Sequence, residues 1–141
     1  MGGPTRTGAP AKLVRLLLDT HTVLWIMLGD PKLSVRARNA VRNTSNEVFV
    51  SVVCIWEIAT KVRIGKMPKP GNLLEEPQLA LRGLGFRDLP LTLSHARLGG
   101  SIVHPHKDPF DRMLAAQATI EGFTMVSVDE VFDDMAVARL W

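Results

Sequence analysis

The chain has 141 residues, 46% of them hydrophobic and 22% charged, and a formal net charge of +3. That profile suits one soluble globular domain and excludes two full-sized ones. No apolar stretch reaches the roughly 18 to 20 residues that cross a bilayer, the N-terminus has no secretory apolar segment, and the single cysteine, Cys54, allows no intramolecular disulfide, so a cytoplasmic protein without a membrane partner is expected.

The charge is unevenly spread. Residues 1–70 carry 11 Lys/Arg against 4 Asp/Glu, whereas residues 101–141 carry 3 against 7. A basic N-terminal half suggests a polyanionic partner such as nucleic acid, and acids gathered near the end suggest metal binding or simple solvation.

Residues 1–12, rich in Gly, Pro and Thr, are expected to be a flexible leader, with the domain proper at 13–141. The apolar run 13–18 stops at Asp19 and predicts a buried parallel strand. Apolar residues from Thr22 onward suit one or two helical turns, ended by Gly29-Asp30-Pro31. Ser34 can cap a second helix over 35–42, whose Arg36, Arg38 and Arg42 give it a basic face. Residues 47–50 predict a second strand, and Ser51 can cap a helix from about 52 to 64. In that helix Val52, Ile55, Trp56, Ala59 and Val62 fall at helical spacing and are expected to form the buried stripe. A helix weakened or entered at Pro77 is expected within 72–84, then a short strand over 86–90 and a brief helix capped by Thr92 or Ser94. Pro109 fits the first turn of a helix running to Glu121 and closed by Gly122, with Asp108 as its cap. Residues 124–128 predict a strand that again stops at an aspartate, Asp129. Strands alternating with helices predict an α/β fold with a central, mainly parallel sheet flanked by α-helices.

Asp19 and Asp129 both follow the carboxyl ends of expected parallel strands, where ligands bind in open sheets of this kind. Asp111 lies in the first turn of the helix before the last strand, and Glu57 lies on the helix after the second. Four converging carboxylates cannot all remain ionised without a cation. Carboxylate ligation without a Cys/His set of zinc spacing favours magnesium or manganese, and such an ion beside a basic surface suits phosphodiester hydrolysis. Arg112 could bind a phosphate or pair with a neighbouring acid. His104 and His106 form a His-x-His pair that reads more readily as surface than as ligand, and Trp25, Trp56 and Trp141 read as core or contact residues.

Four segments carry a family resemblance: Leu-Leu-Leu-Asp-Thr at 16–20, Ser-Val-Val-Cys-Ile-Trp-Glu-Ile-Ala-Thr-Lys at 51–61, His-Lys-Asp-Pro-Phe-Asp-Arg-Met-Leu-Ala-Ala-Gln at 106–117, and Val-Ser-Val-Asp-Glu-Val-Phe at 126–132. In this order they resemble the motifs of the PIN-domain ribonucleases, most closely the VapC toxins of type II toxin–antitoxin modules. The resemblance spans about 14–141 and leaves out the leader. It implies a PIN-like domain in which Asp19, Glu57, Asp111 and Asp129 bind one or two Mg2+ or Mn2+ ions and cut RNA, commonly tRNA or rRNA. It further implies a homodimer silenced by a VapB-type antitoxin, and supporting hydroxyls at Thr20 and Ser127. A final strand is expected at 137–140. Two rival readings remain at this point: an RNA- or protein-binding PIN-like module without strong catalysis, and an aspartyl-phosphate phosphatase using Asp19, in which His21 stands where a second acid is usual.

Overall fold

The computed structural model describes residues 14–141; the expected leader and Leu13 lie outside the described residues. The elements run β1 (Arg15–Leu18), α1 (Thr20–Leu28), α2 (Val35–Arg42), β2 (Glu47–Ser51), α3 (Val52–Arg63), α4 (Pro77–Gly83), β3 (Arg87–Leu89), α5 (Leu93–Ser101), α6 (Pro109–Glu121), β4 (Thr124–Val126), α7 (Val131–Asp134) and β5 (Arg139–Leu140). The five strands form one sheet in the order β3-β2-β1-β4-β5, and every adjacent pair is parallel. The expected α/β fold with a parallel sheet is the one observed.

β1 occupies the centre because its three leucines have no solvent-facing side. Leu16, Leu17 and Leu18 are all fully buried, with Leu17 in register with Phe49 of β2 and Met125 of β4. Both neighbours of β1 come later in the chain, β2 on one side and β4 on the other, so the crossovers diverge at β1. In open parallel sheets ligands bind beyond the carboxyl ends of the strands at such a switch in strand order. The Asp19 N–H extends the ladder by donating to the Val126 carbonyl at 3.1 Å, which fixes the chain as it leaves β1.

Most helix ends follow from local chemistry. Ser34, Ser51, Thr92 and Asp108 accept backbone N–H bonds as N-caps of α2, α3, α5 and α6, and Pro109 opens α6. Gly29 and Gly122 close α1 and α6 in the left-handed conformation, at φ 63° and 73°. α1 begins at Thr20, earlier than the expected Thr22, because Asp19 itself is the cap.

One expectation is overturned. The buried residues of α3 are Val53, Cys54, Glu57 and Ile58, whereas Val52 and Trp56 are exposed and Ile55 and Val62 are only partly buried. The helix is apolar on most of its circumference, so two stripes share one period, and the glutamate in the true inner stripe disguises it. The outward stripe lines an apolar groove with Phe49, Leu81 and Phe86. The strand at 124–128 is shorter than expected, and α7 was not anticipated; its backbone turns at Ala136, which has φ 59°.

Candidate functional site

Asp19, Thr20, Ser51 and Ser127 stand at or just beyond the carboxyl ends of three neighbouring strands, and all are buried. Asp19 is 6% exposed. Its Oδ1 accepts from the His21 N–H at 3.4 Å, and its Oδ2 accepts from the Ser127 hydroxyl at 2.5 Å. The same Ser127 oxygen accepts from the Asp129 N–H at 2.9 Å, so one hydroxyl ties the end of β1 to the turn after β4.

Glu57 is 3% exposed. It faces inward because the inner stripe of α3 packs against α1. Its Oε1 accepts from the Thr20 hydroxyl at 2.6 Å and its Oε2 from the Lys61 ammonium at 2.5 Å. A buried carboxylate with both oxygens bonded to donors is held in one orientation.

Asp111 comes from the first turn of α6. Its Oδ2 lies 2.8 Å from His106 Nε2. Asp108 caps the same helix, its Oδ1 accepting from the N–H groups of Phe110 and Asp111 at 2.8 and 3.2 Å. The surroundings raise the pKa of two of these acids. Burial is the main cause at Asp19, opposed by the Ser127 and His21 bonds and reinforced by the charge of Glu57. Asp111 is pushed up to about 6 by burial, against the His106 bond and with the charges of Asp108, Asp19 and Glu57 adding to the rise. The charge of Glu57 thus acts on both Asp19 and Asp111, although the three acids come from separate parts of the chain.

Asp129 is placed differently. It is exposed, and its Oδ1 accepts from the Val131 N–H at 3.0 Å as the chain turns into α7. Arg112 makes no ion pair with a carboxylate; its guanidinium donates to the carbonyls of Gly99, Ile102, His104 and His106. It thereby folds the loop between α5 and α6 and sets His106 against Asp111. Among the described residues, one group of three His, Asp, Glu or Cys brings ligand atoms within 4.8 Å of one another: His106, Asp108 and Asp111. No three of the four expected acids meet that distance.

The donor set fits a hard divalent cation. Clustered carboxylate oxygens with raised proton affinity are what such an ion replaces protons on, and a single imidazole is compatible with manganese. Cys54 contributes nothing to that fit: it is fully buried beside Thr20, and burial pushes its thiol pKa well up, so no thiolate is available. Sequence reasoning passed over two contacts here. Lys61 was signalled by its position four residues after Glu57, the helical spacing for an ion pair. His106 carried no local signal, because its contact depends on how Arg112 folds the loop. Trp56 is 60% exposed and meets Phe110 edge-on at 4.9 Å, so it is not a core residue. Trp25 and Trp141 pack on each other at 5.8 Å and are partly buried.

A family model for the PIN domain matches residues 16–138. The chain belongs to the PIN domain family. Solved structures agree on the fold of this PIN domain. It is similar to a chain of VapBC2 from Rickettsia felis bound to a promoter DNA fragment, at 14% identity and a TM-score of 0.65, covering 90% of this chain and 98% of the other. It is similar to a chain of FitAcB from Neisseria gonorrhoeae at 23% identity and a TM-score of 0.62, covering 89% and 96%. A toxin–antitoxin complex from Klebsiella pneumoniae also aligns, at 13% identity and a TM-score of 0.57, covering 82% and 87%. No curated protein sequence matches the PIN domain described here.

Proposed function

We propose that this PIN domain is a metal-dependent endoribonuclease that acts in the cytoplasm as the toxin of a VapBC-type module, cutting tRNA or rRNA and so inhibiting translation. The observation that carries the reading is the gathering of Asp19, Glu57 and Asp111, from the end of β1, α3 and α6, near enough for the charges of Asp19 and Glu57 to act on Asp111, though not within one set of ligand distances. Three largely buried acids gathered in one place, two of them with raised proton affinity, are costly to a fold, and their shared use is to hold a cation. Asp129, in the turn that Ser127 ties to Asp19, is the fourth proposed ligand, reaching the site from the solvent side. The toxin assignment is supported by the similarity to chains of toxin–antitoxin complexes, and with it come an antitoxin partner of the VapB type and a homodimer.

A bound Mg2+ or Mn2+ would supply Lewis-acid stabilisation of charge at the scissile phosphate and lower the pKa of water in the site. The chain's own groups do the remaining work. Thr20 and Ser127 fix the carboxylates of Glu57 and Asp19 so that little reorganisation is needed when substrate arrives. The α6 N-terminus, capped by Asp108, presents Asp111 to the site, with its Oδ2 against His106 Nε2 to hold it as a ligand. The basic residues of the N-terminal half, including Arg36, Arg38 and Arg42 on α2, offer charge to the RNA backbone.

The test is cleavage of purified bacterial RNA by protein freed of any bound partner, with Mg2+, with Mn2+ and with EDTA, followed by sequencing of the new RNA ends. Cleavage at defined sites that is lost in EDTA and in Asp19→Asn is expected. Equal cleavage by Asp19→Asn and wild type would refute the assignment.

A further inference from the structure

Glu57 is paired with a cation that the family resemblance did not assign. Among the described residues, Lys61 is the one Lys or Arg that forms an ion pair with any of the four proposed acids. Its Nζ lies 2.5 Å from Glu57 Oε2, with the lysine side chain 29% exposed and the glutamate side chain 4% exposed. The other Glu57 oxygen is taken by Thr20. A divalent ion approaching Glu57 finds Oε2 already occupied by a positive charge.

We infer that Lys61 is the resident counter-ion of the carboxylate pocket, so that loading a divalent metal onto Glu57 is an exchange in which the ion displaces the ammonium. This rests on the metal-dependent reading above and adds to it a positioning residue that sets metal affinity. Without metal, the ammonium keeps the buried Glu57 carboxylate compensated and aligned with Thr20. When metal binds, the ammonium moves off Oε2 but stays tethered one helical turn away, at the partly open rim of the pocket. Lys61 thus stabilises the empty site at the expense of affinity for the ion.

Two measurements on the full chain test this: Mn2+ titration by calorimetry, and thermal melting in EDTA and in saturating Mn2+. They are made on wild type, Lys61→Met, Lys61→Gln and Lys61→Arg. Lys61→Met and Lys61→Gln are expected to bind Mn2+ about tenfold more tightly than wild type, because a competing charge is gone. Their Tm in EDTA should fall by several degrees and return to within a degree or two of wild type in saturating Mn2+. Lys61→Arg, which keeps the charge, should stay near wild type in both. Mn2+ affinity unchanged within twofold in Met and Gln, or weaker than wild type, would overturn the inference while leaving the metal-dependent reading intact. Absence of Mn2+ binding by wild type would overturn both. Should Lys61→Met not fold, the Gln variant carries the comparison.

Discussion

Asp111 links the stability of the fold to the chemistry of its pocket, and Asp111→Asn separates them. The carboxyl is pushed from an ordinary 3.8 to about 6, chiefly by burial, with Asp108, Asp19 and Glu57 adding to the rise. The folded chain therefore holds a proton here that the unfolded chain has released, between about pH 4 and pH 6. In that window stability falls as pH rises, and above it the full cost of the ionised side chain is present. The displacement corresponds to roughly 3 kcal/mol at pH 8. Asparagine keeps the shape and can still bond to His106 but carries no charge, so it avoids most of that cost. At roughly 3–5 °C per kcal/mol for a domain of this size, the Tm in EDTA at pH 8 should rise by about 5–10 °C. The gain should shrink steadily on acidification and be nearly gone at pH 4. In Mn2+ the order reverses in kind: wild type gains Tm with metal concentration and the variant gains little. Melts of both proteins across pH 4–8, with EDTA and with Mn2+, provide the assay. A variant no more stable than wild type at pH 8, or one with the same pH slope, would refute the account of a pocket that strains the fold until a cation binds.

Other expectations follow from the packing. Arg112→Met removes the donors for three loop carbonyls and for that of Gly99 in α5, and should cost about 2–4 kcal/mol in denaturant unfolding, with faster amide exchange confined to residues 102–108. Ile58→Ala should cost about 2–5 kcal/mol and Val52→Ala less than about 1 kcal/mol, since Ile58 is fully buried and Val52 is 39% exposed; equal costs would mean the inner face of α3 is wrongly assigned. The Cys54 thiol should resist iodoacetamide in native protein up to pH 9 and react only on unfolding, as mass spectrometry of the intact chain can show.

The legible parts of this sequence were those set by neighbours in the chain. Pro109 after Asp108 and Gly122 after Glu121 bound α6 on both sides through backbone preferences that need no tertiary context. The three leucines before Asp19 read as a central strand because a strand buried on both faces has no reason to alternate. The face of α3 was not legible, because Val52, Ile55 and Trp56 compete with Val53, Cys54 and Ile58 for the core and only the packing against α1 decides between them. The burial of Glu57 on the same helix depends on Thr20 and Lys61 supplying donors to both its oxygens. His106 illustrates the remaining gap. A histidine in a Pro-containing loop gives no hint that an arginine eight residues beyond His104 will gather the carbonyls around it and press it onto Asp111. Asp129 was legible as a residue just beyond a strand end, but not in its exposure or its part in the turn into α7.

The central claim is that acids from three separate elements share one cation. Crystals of the protein soaked in Mn2+ and measured at the manganese absorption edge would show where the ion sits. The account predicts an anomalous peak at coordinating distance, about 2.0–2.2 Å, from carboxylate oxygens of both Asp19 and Asp111, with the Lys61 ammonium withdrawn from Glu57. A peak bound only by His106, Asp108 and Asp111, with Asp19 and Glu57 unmoved, would contradict it.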